Sequence, residues 1–213
     1  LMELKGEDLT VTASDLETTI TVKLNPGMVE QGSINRIAIP AKMFLEVVNS
    51  LSTQQITVEV QEDFSVGITA GTGKYKLVGE DPESYPVAME LEEPLLTTIS
   101  SSVLVKAIGK TIFATGNSEL RPQMSGVLCE QTENGTTFVA TDAHKLVKYT
   151  RTDCKCDEPR SFILPKTPLG LLNKLLSSYK EEMDVKMENN KENVRFTFEN
   201  YTLISRLIDG KYP

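Results

Sequence analysis

The feature that most constrains this chain is an internal repeat. Phe138-Val139-Ala140-Thr141-Asp142-Ala143-His144-Lys145-Leu146-Val147 alternates apolar and polar residues, breaks at Thr141-Asp142, then resumes. That pattern predicts a strand, a tight corner and a second strand. A fainter copy, Val11-Thr12-Ala13-Ser14-Asp15-Leu16-Glu17, places Asp15 127 residues before Asp142. Pro40 and Pro165, Tyr75 and Tyr201, and Pro86 and Pro213 recur at offsets of 125, 126 and 127. Loop insertions and deletions account for the drift. A unit of short antiparallel strands and helices is therefore duplicated, which makes the fold class α+β.

Taken in order, the first copy alternates through Leu9, Val11, Ile20, Val22 and Leu24. Pro40 opens a helix over 40–51 with Phe44, Val47 and Leu51 on one stripe. Three strands follow around Ile56, Val66 and Tyr75. Glu92-Glu93-Pro94 reads as a linker, and the spacing predicts a helix over 99–118 with Ser100 to Ser102 as caps and Leu104, Ile108 and Ile112 aligned. Asn134-Gly135 is a hairpin turn. A last helix over 165–180 carries Leu169, Leu172 and Leu176. Two domains result, 1–93 and 94–213. The chain opens inside a strand pattern, which predicts that it is a piece of a longer protein.

Charge is distributed unevenly. The net charge of −8 argues against nucleic-acid binding unless the basic residues are segregated. The three helical segments hold Lys42, Lys106, Lys110, Lys166, Lys174 and Lys180 against a single acid, Glu46. Their net charge is +5, which leaves −13 for strands and loops. Lys106 and Lys110, four apart, project from one helix face. Ordinary solvated helices account for any one of these lysines, but segregation across all three describes a positive helical surface.

Cys129, Cys154 and Cys156 are an odd number without a disulfide framework, which suits a reducing cytoplasm. Cys154-Lys155-Cys156 lacks a second ligand pair for tetrahedral metal and reads as an exposed loop. No cofactor or metal is expected. No run approaches the ~18 apolar residues of a membrane span.

Ile39-Pro40-Ala41-Lys42-Met43-Phe44, Thr141-Asp142-Ala143-His144-Lys145-Leu146, Leu207-Ile208-Asp209-Gly210-Lys211-Tyr212-Pro213, and Glu119-Leu120-Arg121-Pro122 followed by Ser125-Gly126 together resemble the bacterial DNA polymerase III beta subunit family, the ring-shaped sliding clamps. The resemblance implies the DNA-clamp fold, with repeated domains that each set two helices on one side of antiparallel sheets. It implies that the start of domain one and all of a third domain lie outside this chain. It further implies a protein that encircles duplex DNA without sequence preference, as a homodimer when full-length. Its partners would be a replicative DNA polymerase, a clamp loader and other clamp-motif proteins, bound through a peptide pocket. By the resemblance, Met124, Thr141, Ala143, His144, Lys145, Leu146 and Pro213 fall in that pocket. Ala143, Lys145 and Met124 replace the family's common glycine, arginine and leucine. Lys42, Lys106, Lys110, Lys166 and Lys174 would face DNA. The strand Lys74-Tyr75-Lys76-Leu77 would be the dimer edge, and this chain alone is expected to be a monomer.

The competing reading is a hydrolase-type enzyme that uses Asp142 and His144 with Thr141 as nucleophile. Residues two apart on a strand face the same way, so an Asp–His pair is possible. No oxyanion loop, phosphate cradle or paired metal carboxylates accompany it. The sequence therefore favours a non-catalytic binding scaffold.

Overall fold

The structure is a computed structural model describing residues 1–30, 32, 34–51, 55–87, 89–117 and 120–213. The chain divides into two compact units, Leu1–Ser14 with Thr21–Ala88, and Asp15–Ile20 with Met89–Pro213.

In the first unit, β1 (Met2–Lys5), β2 (Asp8–Ser14) and β4 (Arg36–Ile37) run antiparallel, with β1 in the middle. The pairs Met2↔Val11 and Leu4↔Leu9 set apolar side chains opposite each other. The strand β3 (Thr18–Leu24) begins within the second unit and ends in the first. A second sheet has β6 (Ser65–Ala70) between β5 (Ile56–Val60) and β7 (Gly73–Val78). Helix α1 (Ala41–Ser50) starts after Pro40, whose fixed φ suits a helix entry. Phe44, Val47 and Leu51 pack on a small core of Ile37, Val66, Ile68 and Leu77. No residue of α1 is fully buried, and Met43 and Leu45 stay about half exposed.

The second unit has four neighbouring strands of a larger sheet, a separate four-stranded sheet and two helices. One sheet orders β15 (Tyr201–Arg206), β14 (Asn193–Phe198), β13 (Asp184–Asn189) and β8 (Leu95–Ser100). The other orders β11 (Leu146–Arg151), β10 (Gly135–Thr141), β9 (Gly126–Thr132) and β12 (Arg160–Pro165). Helices α2 (Ser101–Thr111) and α3 (Lys166–Ser177) pack on each other. Leu104, Ala107 and Ile108 from α2 and Leu169, Leu172 and Leu176 from α3 join Phe138, Phe162, Phe196 and Leu203 in one core. The apolar stripes expected from the sequence are the buried faces.

Three expectations need correction. Residues Leu95–Ser100 form a strand, so Ile99 and Ser100 are not helical as expected: Thr97 and Ile99 point inward while Leu96 and Thr98 point outward. The helix cannot start earlier because Ser100 is its extended N-cap and accepts the Ser102 amide. At its far end the α-helix stops at Thr111, a short 3₁₀ turn follows over Ile112–Ala114, and Ser118 lies outside the described residues. Lys180 falls beyond the end of α3. The Cys154–Cys156 loop exposes Lys155 and its flanking residues as expected, but both cysteine side chains are buried. The Thr136 hydroxyl donates to the Cys154 carbonyl at 2.8 Å, and the Cys156 amide donates to the Thr132 carbonyl at 3.1 Å, which folds the loop onto the β9–β10 hairpin.

Candidate functional site

The corner after β10 is built by side-chain-to-backbone hydrogen bonds. Asp142 Oδ1 accepts the amides of His144 at 3.0 Å and Lys145 at 2.9 Å, and the Asp142 amide donates to the Lys145 carbonyl. The buried Thr141 hydroxyl donates to the same carbonyl at 2.7 Å and accepts the Ala143 amide at 3.2 Å. Aspartate and threonine favour such turns because their short side chains substitute for backbone partners. Ala143 sits at φ +75°, the left-handed region where a Cβ is strained. The Lys145 ammonium pairs with Asp142 Oδ2. That bond, with the two backbone amides behind it, holds the Asp142 carboxyl far below the usual carboxylate range.

Below the corner, the Tyr212 hydroxyl accepts the Thr141 amide at 3.0 Å and donates to the Gly126 carbonyl at 3.4 Å. Burial pushes the Tyr212 phenol up from its ordinary value. The Ile208 amide donates to the Ile163 carbonyl at 3.0 Å, so the Leu207–Pro213 tail lies along the sheet edge and ends beside the corner. Met124 is buried, and its carbonyl accepts the Gly116 amide at 2.7 Å. A Cβ on Gly116 would stand 3.6 Å from the Cβ atoms of both Met124 and Asp142. The structure thus brings Met124 and the Thr141–Leu146 corner together, with Pro213 following the tyrosine that anchors it. Ala143, His144, Lys145 and Leu146 face solvent, and Leu146 is 63% exposed. Glu119, the first residue of the Glu119–Pro122 segment, lies outside the described residues.

Sequence reasoning did not assign roles to Tyr212, Gly116 or Gly126. For Tyr212 a signal existed, since Tyr85 precedes Pro86 as Tyr212 precedes Pro213. The hydrolase alternative does not survive the geometry. Asp142 meets His144 through the backbone amide, and the Thr141 hydroxyl is turned toward the Lys145 carbonyl. A triad needs the acid on the imidazole and the imidazole on the nucleophile. Here all three groups build a turn.

Within the observed helix bounds, Lys42, Lys106, Lys110, Lys166 and Lys174 stand against Glu46, a net charge of +4. Lys106 and Lys110 lie on the exposed side of α2, away from Leu104 and Ile108. Lys166 donates to Asn117 Oδ1 at 3.3 Å, and Lys174 and Lys42 are exposed. In β7, Lys74, Tyr75 and Lys76 are exposed, whereas Leu77 is 4% exposed and belongs to the core. Among the described residues no group of three or more His, Cys, Asp or Glu is placed to hold a metal ion, and no helix is long and apolar enough to cross a membrane.

Comparison with known proteins agrees along the whole chain. Residues 1–90 match the DNA polymerase III beta subunit N-terminal domain, and residues 98–213 match its central domain. The beta sliding clamp of Halalkalibacterium halodurans is 33% identical over 215 residues, 98% of this chain and 56% of the relative. That of Staphylococcus aureus (strain Mu50) is 29% identical over 217 residues, 100% of this chain and 57% of the relative. The DNA polymerase sliding clamp of Bacillus subtilis superposes with a TM-score of 0.88 at 27% identity, covering 100% of this chain and 57% of that one. A sliding clamp from Pseudomonas aeruginosa, solved bound to griselimycin, gives a TM-score of 0.88 at 25% identity over the same shares. The chain therefore spans a little over half the length of the relatives it matches. Two consecutive domains of one family, in the family's own order, account for both copies of the repeat, and the chain belongs to the DNA polymerase III beta subunit family.

Proposed function

We propose that this chain is the DNA-facing and partner-docking part of a sliding clamp, a non-catalytic processivity factor of the bacterial cytoplasm. Residues 1–93 and 94–213 are its first two domains. The observation that carries the reading is the segregation of charge: a chain of net −8 places five lysines and one acid on its three helices. Lysine contacts to phosphate carry no base readout, so duplex DNA is held and still slides. The Thr141–Leu146 corner, with buried Met124 beside it and exposed Leu146 at its rim, supplies an apolar seat for short motifs of a polymerase, a clamp loader and other clamp-binding proteins. Tethering keeps the polymerase at high effective concentration beside the primer end. The free edge at Lys74, Tyr75 and Lys76 is the surface for a second subunit.

DNA binding by the 213-residue chain tests this. Without encirclement, Kd should be no tighter than roughly 10⁻⁴–10⁻⁶ M near physiological salt. The pair Lys106→Glu and Lys110→Glu should abolish it. Tight binding to one sequence that survives high salt would overturn the sliding mechanism. A clamp-motif peptide should shift the His144 ring signals, and shifts confined to the acidic strands would remove the corner from the site. Sedimentation at micromolar concentration should give a monomer. A stable dimer that Val78→Lys disrupts would show that the β7 edge closes unaided. Leu77, being core, would test stability rather than association.

A further inference from the structure

A second polar site lies in the second unit, away from the corner and the helix lysines. A depression of about 270 Å³ is lined by Leu95–Thr98 of β8, by Lys155–Glu158, and by Arg160 at the start of β12. Arg160 pairs across the strand with Gln131, and its Nε donates to Gln131 Oε1 at 2.7 Å. One of its terminal nitrogens donates to the Thr97 hydroxyl. Gln131 is fully buried and Thr97 is 6% exposed, so both anchors are fixed in the core. The guanidinium is therefore aimed before any ligand arrives.

A guanidinium carries five N–H donors, and these two bonds use two. Among the described residues no carboxylate forms an ion pair with Arg160, although Asp157 and Glu158 line the same depression. Behind it, the buried Gln131 Nε2 makes no hydrogen bond. Lys155 adds a second cation at the wall. A part-buried charge with no carboxylate bonded to it has donors left to fill, and a planar fork matches an oxyanion with two parallel bonds. The volume suits a single charged group rather than a large organic ligand.

We infer that this depression is an oxyanion site in which Arg160, oriented by Gln131 and Thr97, binds a phosphate or carboxylate group. Inorganic phosphate and succinate, titrated separately into the 213-residue chain at constant ionic strength, serve as probes. The Arg160 Nε signal and the Thr97 and Thr98 amides should shift and saturate with at least one of them. Saturation by phosphate alone assigns a phosphoryl ligand, and saturation by succinate alone assigns a carboxylate. Arg160→Lys keeps the charge but loses the fork, and should weaken binding about tenfold; Arg160→Gln should remove it. Linear, unsaturable shifts of the wild-type Arg160 Nε would overturn the inference without reliance on any variant. Shifts centred on Lys106 and Lys110, or retained in Arg160→Gln, would overturn it equally.

Discussion

The two copies of the corner share a backbone and differ in chemistry. Asp15 Oδ1 accepts the amides of Glu17 at 3.1 Å and Thr18 at 2.7 Å, as Asp142 accepts those of His144 and Lys145. Leu16 sits at φ +76°, beside Ala143 at +75°. Tyr85 bonds the Ser14 backbone as Tyr212 bonds the Thr141 amide, and both tyrosines precede a proline. What differs is the set of side chains at the turn: exposed Leu16 and Glu17, half-buried Thr18 and buried Thr19 in one copy, and exposed Ala143-His144-Lys145-Leu146 in the other. Duplication preserved the groups that close the turn, because losing any of them strands a polar backbone atom. The outward side chains were free to diverge: both corners expose a leucine, Leu16 and Leu146, but only the second offers a histidine. The cores differ too. Two helices cover the sheets of the second unit and one covers those of the first, where strands β1 and β2 are mostly half-buried.

The largest expected effect breaks the comparison at the cores. Leu203→Ala, at a fully buried position of the second unit, should cost about 2–5 kcal/mol. Its repeat counterpart Leu77→Ala should fall at the low end, because the smaller cluster can collapse around the gap. Urea unfolding read by hydrogen exchange in each unit checks this, and equal losses would mean equally rigid cores.

Next come the tyrosines. Tyr212→Phe leaves the amide of buried Thr141 without its partner, a loss of about 1–3 kcal/mol. Tyr85→Phe should act in the same direction in the first unit. A silent Tyr85→Phe would show that only the second corner depends on its lock.

The strained residues sharpen the comparison with the opposite sign. Ala143→Gly and Leu16→Gly should each stabilise by about 1 kcal/mol, since glycine adopts positive φ without Cβ strain. The melting temperature should rise by roughly 2–4 °C for each. A response from only one variant would show that the corners are not equivalent.

The smallest effect is electrostatic. Asp142 is held low, so its contribution to folding is present above the ordinary carboxylate value of about 3.9 and fades as pH falls below that toward the folded value. The group is only half-buried and reaches solvent, so the change should be visible in a ¹³C carboxyl titration before it is visible in stability. Lys145→Met should move the titration upward, and an unchanged curve would discount the ion pair.

Much of this was legible from residue order. Alternation at Val11 and Phe138 and the helix stripes at Leu104 and Leu169 are local signals, as are the Asp15 and Asp142 breaks. Strand β8 was not legible, because six residues running straight into a helix share its apolar content. The burial of Cys154 and Cys156 was hidden as well, since it depends on Thr132 and Thr136 in a separate hairpin.

The sequence by itself determined the repeat, the positions of the turns and the charge on the helices: turns and helix charge depend on residues within a few places of one another, and the repeat is one such local pattern met twice. Only the tertiary structure decided which side chains meet. It brought Tyr212 to Thr141, turned Leu77 inward from an edge strand, and set Arg160 between Gln131 and Thr97. Those contacts join residues 29 to 71 positions apart. Periodicity reports which face of an element is buried, but the identity of the neighbour across that face comes from how the sheets and helices pack.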